Sequence, residues 1–307
     1  MILAAGLSPA WQQILQFDAL RIGEVNRARE AVWCASGKVI NVAAGCAWLG
    51  REITLVSPCG GLPGQMIQSE LARLPLHAEW IETARPTRVC TTLLEADGVT
   101  TELVENTAEL ELAAVDEFVR RVRQSATQAK LAVLTGSLPK NVPASLFHQL
   151  LPALPQRVIL DLSGPPLQDC LAFSPFLIKP NREELQATQG IPLNSDADLL
   201  RAMRELNEQG TQWVVVSDGR RGVWVTSRKK AIRLKPPRID LVNPIGCGDA
   251  LAAGIASELE LQDDVVAAVR FGMGAAAHNA EQLLPARLDP QRSRQLAEQV
   301  EIQEINF

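Results

Sequence analysis

Metal-binding spacings are missing from this 307-residue sequence. Its six cysteines (Cys34, Cys46, Cys59, Cys90, Cys170, Cys247) form no Cys-x-x-Cys pair, which removes the zinc patterns and leaves free thiols in a reducing cytosol as the expectation. The three histidines (His77, His148, His278) stand far apart in no metal motif, and each reads as surface or core filling. A basic surplus is also absent. Thirty Lys and Arg against 35 Asp and Glu leave a net charge of −5, the wrong balance for a nucleic-acid partner. No apolar run approaches ~18 residues, so no membrane span is expected. The opening MILAAGLSPA has no basic n-region and meets Pro9 early; it reads as a buried strand rather than a signal peptide. There is no internal repeat, no low-complexity stretch and no linker. One domain over residues 1–307 is expected.

What is present is ordinary for a soluble globular chain: 47% hydrophobic and 21% charged residues, ample for a buried core. Its organising stretch is Asn243–Gly254, NPIGCGDALAAG. An apolar approach (Ile239, Leu241, Val242) meets Pro244, and Gly246 and Gly248 then free the backbone to turn tightly against a ligand. Ala250–Ile255 are helix formers. The N–H groups of Gly246, Cys247 and Gly248 therefore fall at a helix N-terminus, which attracts anions. Asp249 lies in that first turn. A base beside an anion cradle is what phosphoryl transfer to a hydroxyl requires. Taken alone, the stretch reads equally well as a glycine turn whose aspartate stabilises the helix start.

Around it the chain alternates strands and helices. Strands are expected at 1–6, 53–57, 131–134, 158–162, 176–178, 213–217 and 223–226. Helices are expected at 39–49, 64–74, 112–129, 143–151, 182–188, 196–209, 249–259, 263–280 and 290–300. This alternation predicts an α/β fold with a mostly parallel central sheet covered on both faces. Extended pieces at 11–20 and 25–34, and a hairpin flanking Asp97-Gly98, break the rhythm. They predict a small separate sheet from about 10–35 and 85–106. Ligands of such sheets bind at the strand carboxyl ends, where Gly136-Ser137, Asp161–Gly164, Lys179–Glu184 and Ser217–Gly222 fall.

Asn181 and Glu184 share one face of a first helical turn. An amide and a carboxylate so placed can hold a hydrated Mg²⁺; the same pair is also a helix cap. Ser217–Gly222 can wrap phosphates or simply join two strands. Arg27, Lys38 and Arg88 come from three segments near the small sheet. Lys38 sits at a helix start, a poor place for a cation that an anionic substrate would relieve, and Asn41 follows one turn later on the same side. Rival nucleotide motifs fail. Gly37-Lys38 continues into Val39 with Val32 where the P-loop's first glycine belongs, and the protein-kinase set is absent.

In order, GEVNR (23–27), SGKVINVA (36–43), TR (87–88), TE (101–102), GSLPK (136–140), LDLSG (160–164), IKPNREEL (178–185), SDGRRG (217–222) and NPIGCGDALAAG (243–254) resemble the ribokinase-like (PfkB) sugar kinases. The likeness is to the branch of tagatose-6-phosphate kinase and 1-phosphofructokinase, and it covers nearly the whole chain. The resemblance implies a three-layer α/β/α kinase with a β lid that often mediates homodimer contacts, using ATP and Mg²⁺ on a phosphorylated hexose. Asp249 would be the base, with Gly246, Cys247 and Gly248 holding the developing charge. Asn181 and Glu184 would position Mg²⁺; Lys179, Asn181, Ser217, Gly219 and Gly222 would line the nucleotide side. Arg27, Lys38 and Arg88 would grip the substrate's phosphate, with Gly37, Asn41, Ser137 and Gln12 near the sugar.

The sugar side departs from the family. Gln12 replaces an aspartate that binds sugar hydroxyls, Ser36 and Val39 replace bare glycines, and Thr107-Ala108 replaces a Gly-Pro pair. If Gln12 offers its amide to the sugar, an acceptor presenting a hydrogen-bond acceptor there is expected. Two other readings stay open: a kinase of another sugar phosphate or of a nucleoside, of which the three cations oppose the unphosphorylated nucleoside, and a non-catalytic sensor, which an intact Asp249 and its flanking glycines oppose.

Overall fold

The computed structural model describes residues 1–305. Ten strands form one sheet in the order β14-β13-β12-β11-β10-β9-β8-β1-β4-β5. Seven run parallel: β1 (Ile2–Ala5), β4 (Ile53–Cys59), β5 (His77–Glu82), β8 (Leu131–Thr135), β9 (Val158–Asp161), β10 (Leu177–Ile178) and β11 (Trp213–Ser217). Then β12 (Val223–Thr226), β13 (Ala231–Lys235) and β14 (Glu301–Glu304) extend the sheet antiparallel. The central strands read as unbroken apolar runs because both of their faces are buried. Ile2 and Ala4 join the core under α1 (Lys38–Trp48), α8 (Cys247–Leu259) and α9 (Val265–Ala280). Leu3 and Ala5 face the opposite core, under α3 (Leu112–Ala126) and α7 (Asp196–Glu208).

Further helices are α2 (Gly61–Leu71), α4 (Leu146–Leu150), α5 (Pro165–Leu171), α6 (Arg182–Gln189) and α10 (Pro290–Glu298). The chain leaves β1 toward β4 on one side and resumes at β8 on the other. That reversal opens a crevice at the strand carboxyl ends, where such sheets bind ligands. Helix α8 sits close against α9 because both carry glycine at the crossing. A Cβ on Gly254 would lie 2.5 Å from the Gly272 Cα.

The second sheet, order β3-β2-β6-β7, is built from β2 (Ala10–Phe17), β3 (Glu30–Ser36), β6 (Arg88–Glu95) and β7 (Thr100–Val104). Its two middle strands, β2 and β6, pair in parallel, Ala10 against Arg88. It covers the crevice as a lid. Residues 18–29, expected to be largely extended, are instead a loop. There the Asn26 side chain accepts from Arg21 N and donates to Arg21 O, both at 2.8 Å, a local turn that competes with strand pairing. The apolar approach Ile239–Val242 runs as a loop in which Val242 N bonds Ala280 O at 2.8 Å. β5, β13, β14 and α5 are additions to the expected elements. Helix α5 begins at two prolines, which a first turn tolerates because its N–H groups need no partner.

Candidate active site

The carboxyl ends of β9, β10 and β11 and the N-terminus of α8 meet under the lid in a cleft of about 380 Å³. The turn into α8 is made by Gly246, at φ 79°. A side chain there would press on Pro285, its Cβ 2.9 Å from the proline Cβ. Two buried asparagines fix the turn. Asn243 Nδ2 donates to Leu283 O (2.7 Å) while its Oδ1 accepts from Ile245 N (3.0 Å). Asn279 Nδ2 donates to Ile245 O (2.8 Å) and its Oδ1 accepts from Ala286 N (2.7 Å). The Cys247 N–H points back to Pro244 O at 3.4 Å, and the Ala250 N–H closes the first helical bond to Gly246 O. Among the described residues nothing accepts from the Gly248 and Asp249 N–H groups. They are the open donors at this helix end.

Asp249 is buried beside them and its Oδ2 accepts from Asn41 Nδ2 at 2.7 Å. Burial, then the Asp161 carboxylate, push its carboxyl up to about 7, against the pull of Lys38, the Asn41 hydrogen bond and Lys179. Asp161, at the end of β9, receives Thr135 Oγ1 (2.9 Å) and stands 3.0 Å from Lys179 Nζ and 3.8 Å from Lys38 Nζ. Burial works against its charge, but the two lysines hold it below the usual carboxylate range. Sequence reasoning placed Asp161 only in a loop motif. The available signal was a single acid ending an apolar strand, VILD. Lys179 also reaches the helix end, with Nζ 3.8 Å from where a Gly248 Cβ would be.

Lys38 lines the same cleft as Gly37, Asn41 and Arg88, but its ammonium is engaged by the chain's own carboxylates. Its Nζ lies 3.0 Å from Glu184 Oε1 as well as near Asp161. Burial opposes the ammonium, but Asp161, Glu184 and Asp249 hold its pKa above the usual lysine range. The conflict between a cation and the start of α1 is thus resolved by carboxylates of the chain itself. Asn181 and Glu184 form a capping box: Asn181 Oδ1 accepts from Glu184 N (2.7 Å) and Glu184 Oε2 from Asn181 N (2.8 Å). No group of three or more His, Cys, Asp or Glu that could cage a metal exists among the described residues. Glu184 and Asn181 nonetheless offer hard oxygen atoms at the cleft edge, a donor set that suits a cation held through water and phosphate.

Toward the lid, Gly37 (φ 93°) has no room for a side chain, since a Cβ would lie 2.8 Å from Ser8 O. Gln12, Arg88, Cys90, Glu102 and Val104 line the cleft from the lid's inner face. Among the described residues the hydrogen bonds of Arg88 go to carbonyls, those of Ser8 (3.2 Å), Pro9 (3.4 Å) and Glu105 (3.2 Å). Arg27 lies exposed on the 18–29 loop and does not line the cleft. Of the three cations expected to converge, only Arg88 faces the lid side of the cleft without a carboxylate partner. Ser137 is exposed, with its N–H on Ser8 Oγ at 3.1 Å, and does not line the cleft. Opposite the lid, Ser217 lines the cleft and bridges to Asn181. Gly219 and Gly222 shape the turn beyond it, where a Gly222 Cβ would collide with Leu234 O at 2.1 Å. Buried Arg182 ties this turn to α6 through Asp218 (2.9 Å), a clamp the sequence did not reveal.

A model of the pfkB family of carbohydrate kinases matches residues 13–291. Phosphofructokinase-2 from Escherichia coli in complex with fructose-6-phosphate is 26% identical. The match spans 97% of this chain and 99% of that one, with a TM-score of 0.86. A Thermotoga maritima protein described as a possible 1-phosphofructokinase shares the fold, at 18% identity over 99% of both chains with a TM-score of 0.91.

Proposed function

Because the chain belongs to the pfkB family of carbohydrate kinases, we propose that it moves the γ-phosphoryl group of ATP to a hydroxyl of an already phosphorylated hexose. The acceptor would be of the tagatose 6-phosphate or fructose 1-phosphate type. One observation carries the reading: Asp249, its carboxyl near neutrality, lies beside the unpaired N–H groups that open α8. A base with pKa close to the working pH is the effective one. Asp249 would take the proton from the acceptor hydroxyl as its oxygen bonds to phosphorus and ADP leaves. The N–H groups of Gly248 and Asp249, the α8 dipole and Lys179 would face the charge on the transferring group. Glu184 and Asn181 would hold Mg²⁺, which when bound would supply positive charge to offset that of the nucleotide's phosphates. A panel of free and phosphorylated hexoses assayed for ATP-dependent turnover tests the assignment. Absence of turnover throughout would refute it.

The acceptor's own phosphate is assigned to Arg88, whose guanidinium hydrogen-bonds to carbonyls among the described residues. Arg88→Ala is expected to raise KM for the hexose phosphate by roughly one to two decades, the value of a charged hydrogen bond, with KM for ATP unchanged. Better turnover of free fructose or tagatose than of the ester would reject this role.

A homodimer through the lid is part of the same reading. The register places Trp11, Trp33 and Leu103 on the lid face turned away from the cleft. The two indoles stack at 6.1 Å, and Trp33 and Leu103 are both about half exposed. An apolar sheet face of this kind marks a protein contact. Wild-type protein is expected to scatter light as a dimer and Trp33→Glu as a monomer. A wild type that is monomeric at micromolar concentration would exclude the lid dimer.

A further inference from the structure

We propose that Thr92 is the positioning residue of the acceptor subsite, fixing Gln12 so that it presents a neutral hydrogen-bond acceptor to the sugar. The proposal rests on the sugar-kinase reading above. Gln12 stands on the cleft side of the lid, between Cys34 of β3 and Cys90 of β6 in register. Thiols are weak hydrogen-bonding groups, so neither neighbour can hold an amide. Thr92, one pleat further along β6, can. Gln12 Nε2 donates to Thr92 Oγ1 at 2.7 Å and to its neighbour's carbonyl, Gln13 O, at 3.4 Å.

The second contact, at 3.4 Å, gives the amide its direction. A hydroxyl accepts or donates equally well, but a main-chain carbonyl faces only the NH₂ end of an amide. Among the described residues nothing donates to the Oε1 end, yet it is not sealed from solvent. It is therefore the end turned to the cleft. Thr92 is fully buried in the lid, and Gln12 is the sole hydrogen-bond partner of its side chain among the described residues.

This corrects the expectation that Gln12 would offer its N–H to the substrate. Both donor contacts are made within the lid, so the subsite takes hydroxyl donors through a carbonyl. It does so without adding a second carboxylate to a face where Glu102 lies directly across from Thr92. A sugar hydroxyl fits this subsite; a carbonyl or carboxylate group of the acceptor does not.

The experiment compares Thr92→Val, Thr92→Ser and Gln12→Ala, alone and combined, on the hexose phosphate that wild type turns over best. Valine keeps the shape and removes only the hydroxyl. It is expected to raise KM for that acceptor by about three- to tenfold, the value of one lost neutral hydrogen bond, with kcat and KM for ATP unchanged. Serine should restore the wild-type KM, and adding Thr92→Val to Gln12→Ala should change nothing more. An unchanged acceptor KM in Thr92→Val, or additive effects in the double variant, would overturn the proposal. A second readout needs no substrate. In ligand-free protein, the Gln12 side-chain NH₂ signal, identified by its loss in Gln12→Ala, should shift and exchange faster in Thr92→Val. If wild type turns over no hexose phosphate, the kinase reading fails, and this amide signal alone decides the positioning role: an unmoved signal rejects it.

Discussion

Asp249→Asn is expected to lower kcat by on the order of 10²–10⁴-fold and to leave ATP affinity unchanged. Asparagine keeps the size of the side chain and can still pair with Asn41, but it accepts no proton. With the carboxyl pushed up to about 7 by burial and Asp161, the base is protonated in acid. Wild-type kcat/KM should therefore climb as pH rises through about 7, and the variant's residual rate should lack that limb. Stability moves the opposite way. A carboxyl whose folded pKa lies above its unfolded one stabilises the fold most below the unfolded value, and that contribution is lost as pH rises through the folded one. Wild type should thus lose stability relative to Asp249→Asn between about pH 4 and 7. An Asn variant with near-full kcat would remove Asp249 from the chemistry. A wild type whose rate is flat through neutrality would remove the raised pKa.

Lys179→Met should be the most damaging change to stability in the cleft, at about 3–5 kcal/mol, the usual result of taking one partner from a buried ion pair. Lys179 and Asp161 are both almost completely buried and 3.0 Å apart. Without the ammonium, Asp161 keeps Thr135 and the more distant Lys38, and its charge lies largely uncompensated. Adding Asp161→Asn removes that charge and should recover much of the loss, a sign that the deficit is electrostatic rather than one of packing. The single variant should also move the acid limb of the rate profile upward, because Lys179 helps keep Asp249 ionised. Denaturation showing Lys179→Met as stable as wild type would mean that Lys38 alone neutralises Asp161.

The elements legible in the sequence were those whose signal is local. VILD, LAVLT and WVVVS read as strands because burial on both faces leaves them uniformly apolar. The glycines and acid of Asn243–Asp249, and the pairing of Asn181 with Glu184, are set by spacing within one turn. β5, HAEWIE, escaped notice because this edge strand carries a glutamate on each face, Glu79 beside Ile81 and Glu82 beside Trp80, which blurs the alternation. β14 is exposed throughout and carries no core face to read. Which side chains of distant segments touch was not visible. Lys38 was assigned to phosphate because nothing in its own stretch shows that Glu184 and Asp161 surround it. Gln12 was assigned a donor role because its partner lies eighty residues away in sequence. Arg27 was grouped with Arg88 by sign of charge, and the turn closed by Asn26 keeps it outside the cleft.

The parallel pairing of β2 with β6 has a consequence for how the lid forms. Each outer strand can zip onto its neighbour as a local antiparallel pair, but joining Ala10 to Arg88 closes a loop that contains α1, β4, α2 and β5. Such closure carries an entropic penalty that must be met before the contacts reward it. The two halves of the lid are therefore expected to unite late in folding, once the intervening βαβ section has drawn the ends of β2 and β6 together. A nascent chain released before residue 88 would carry β2 and β3 with the β2 edge bare, the form of this protein most exposed to edge-to-edge aggregation.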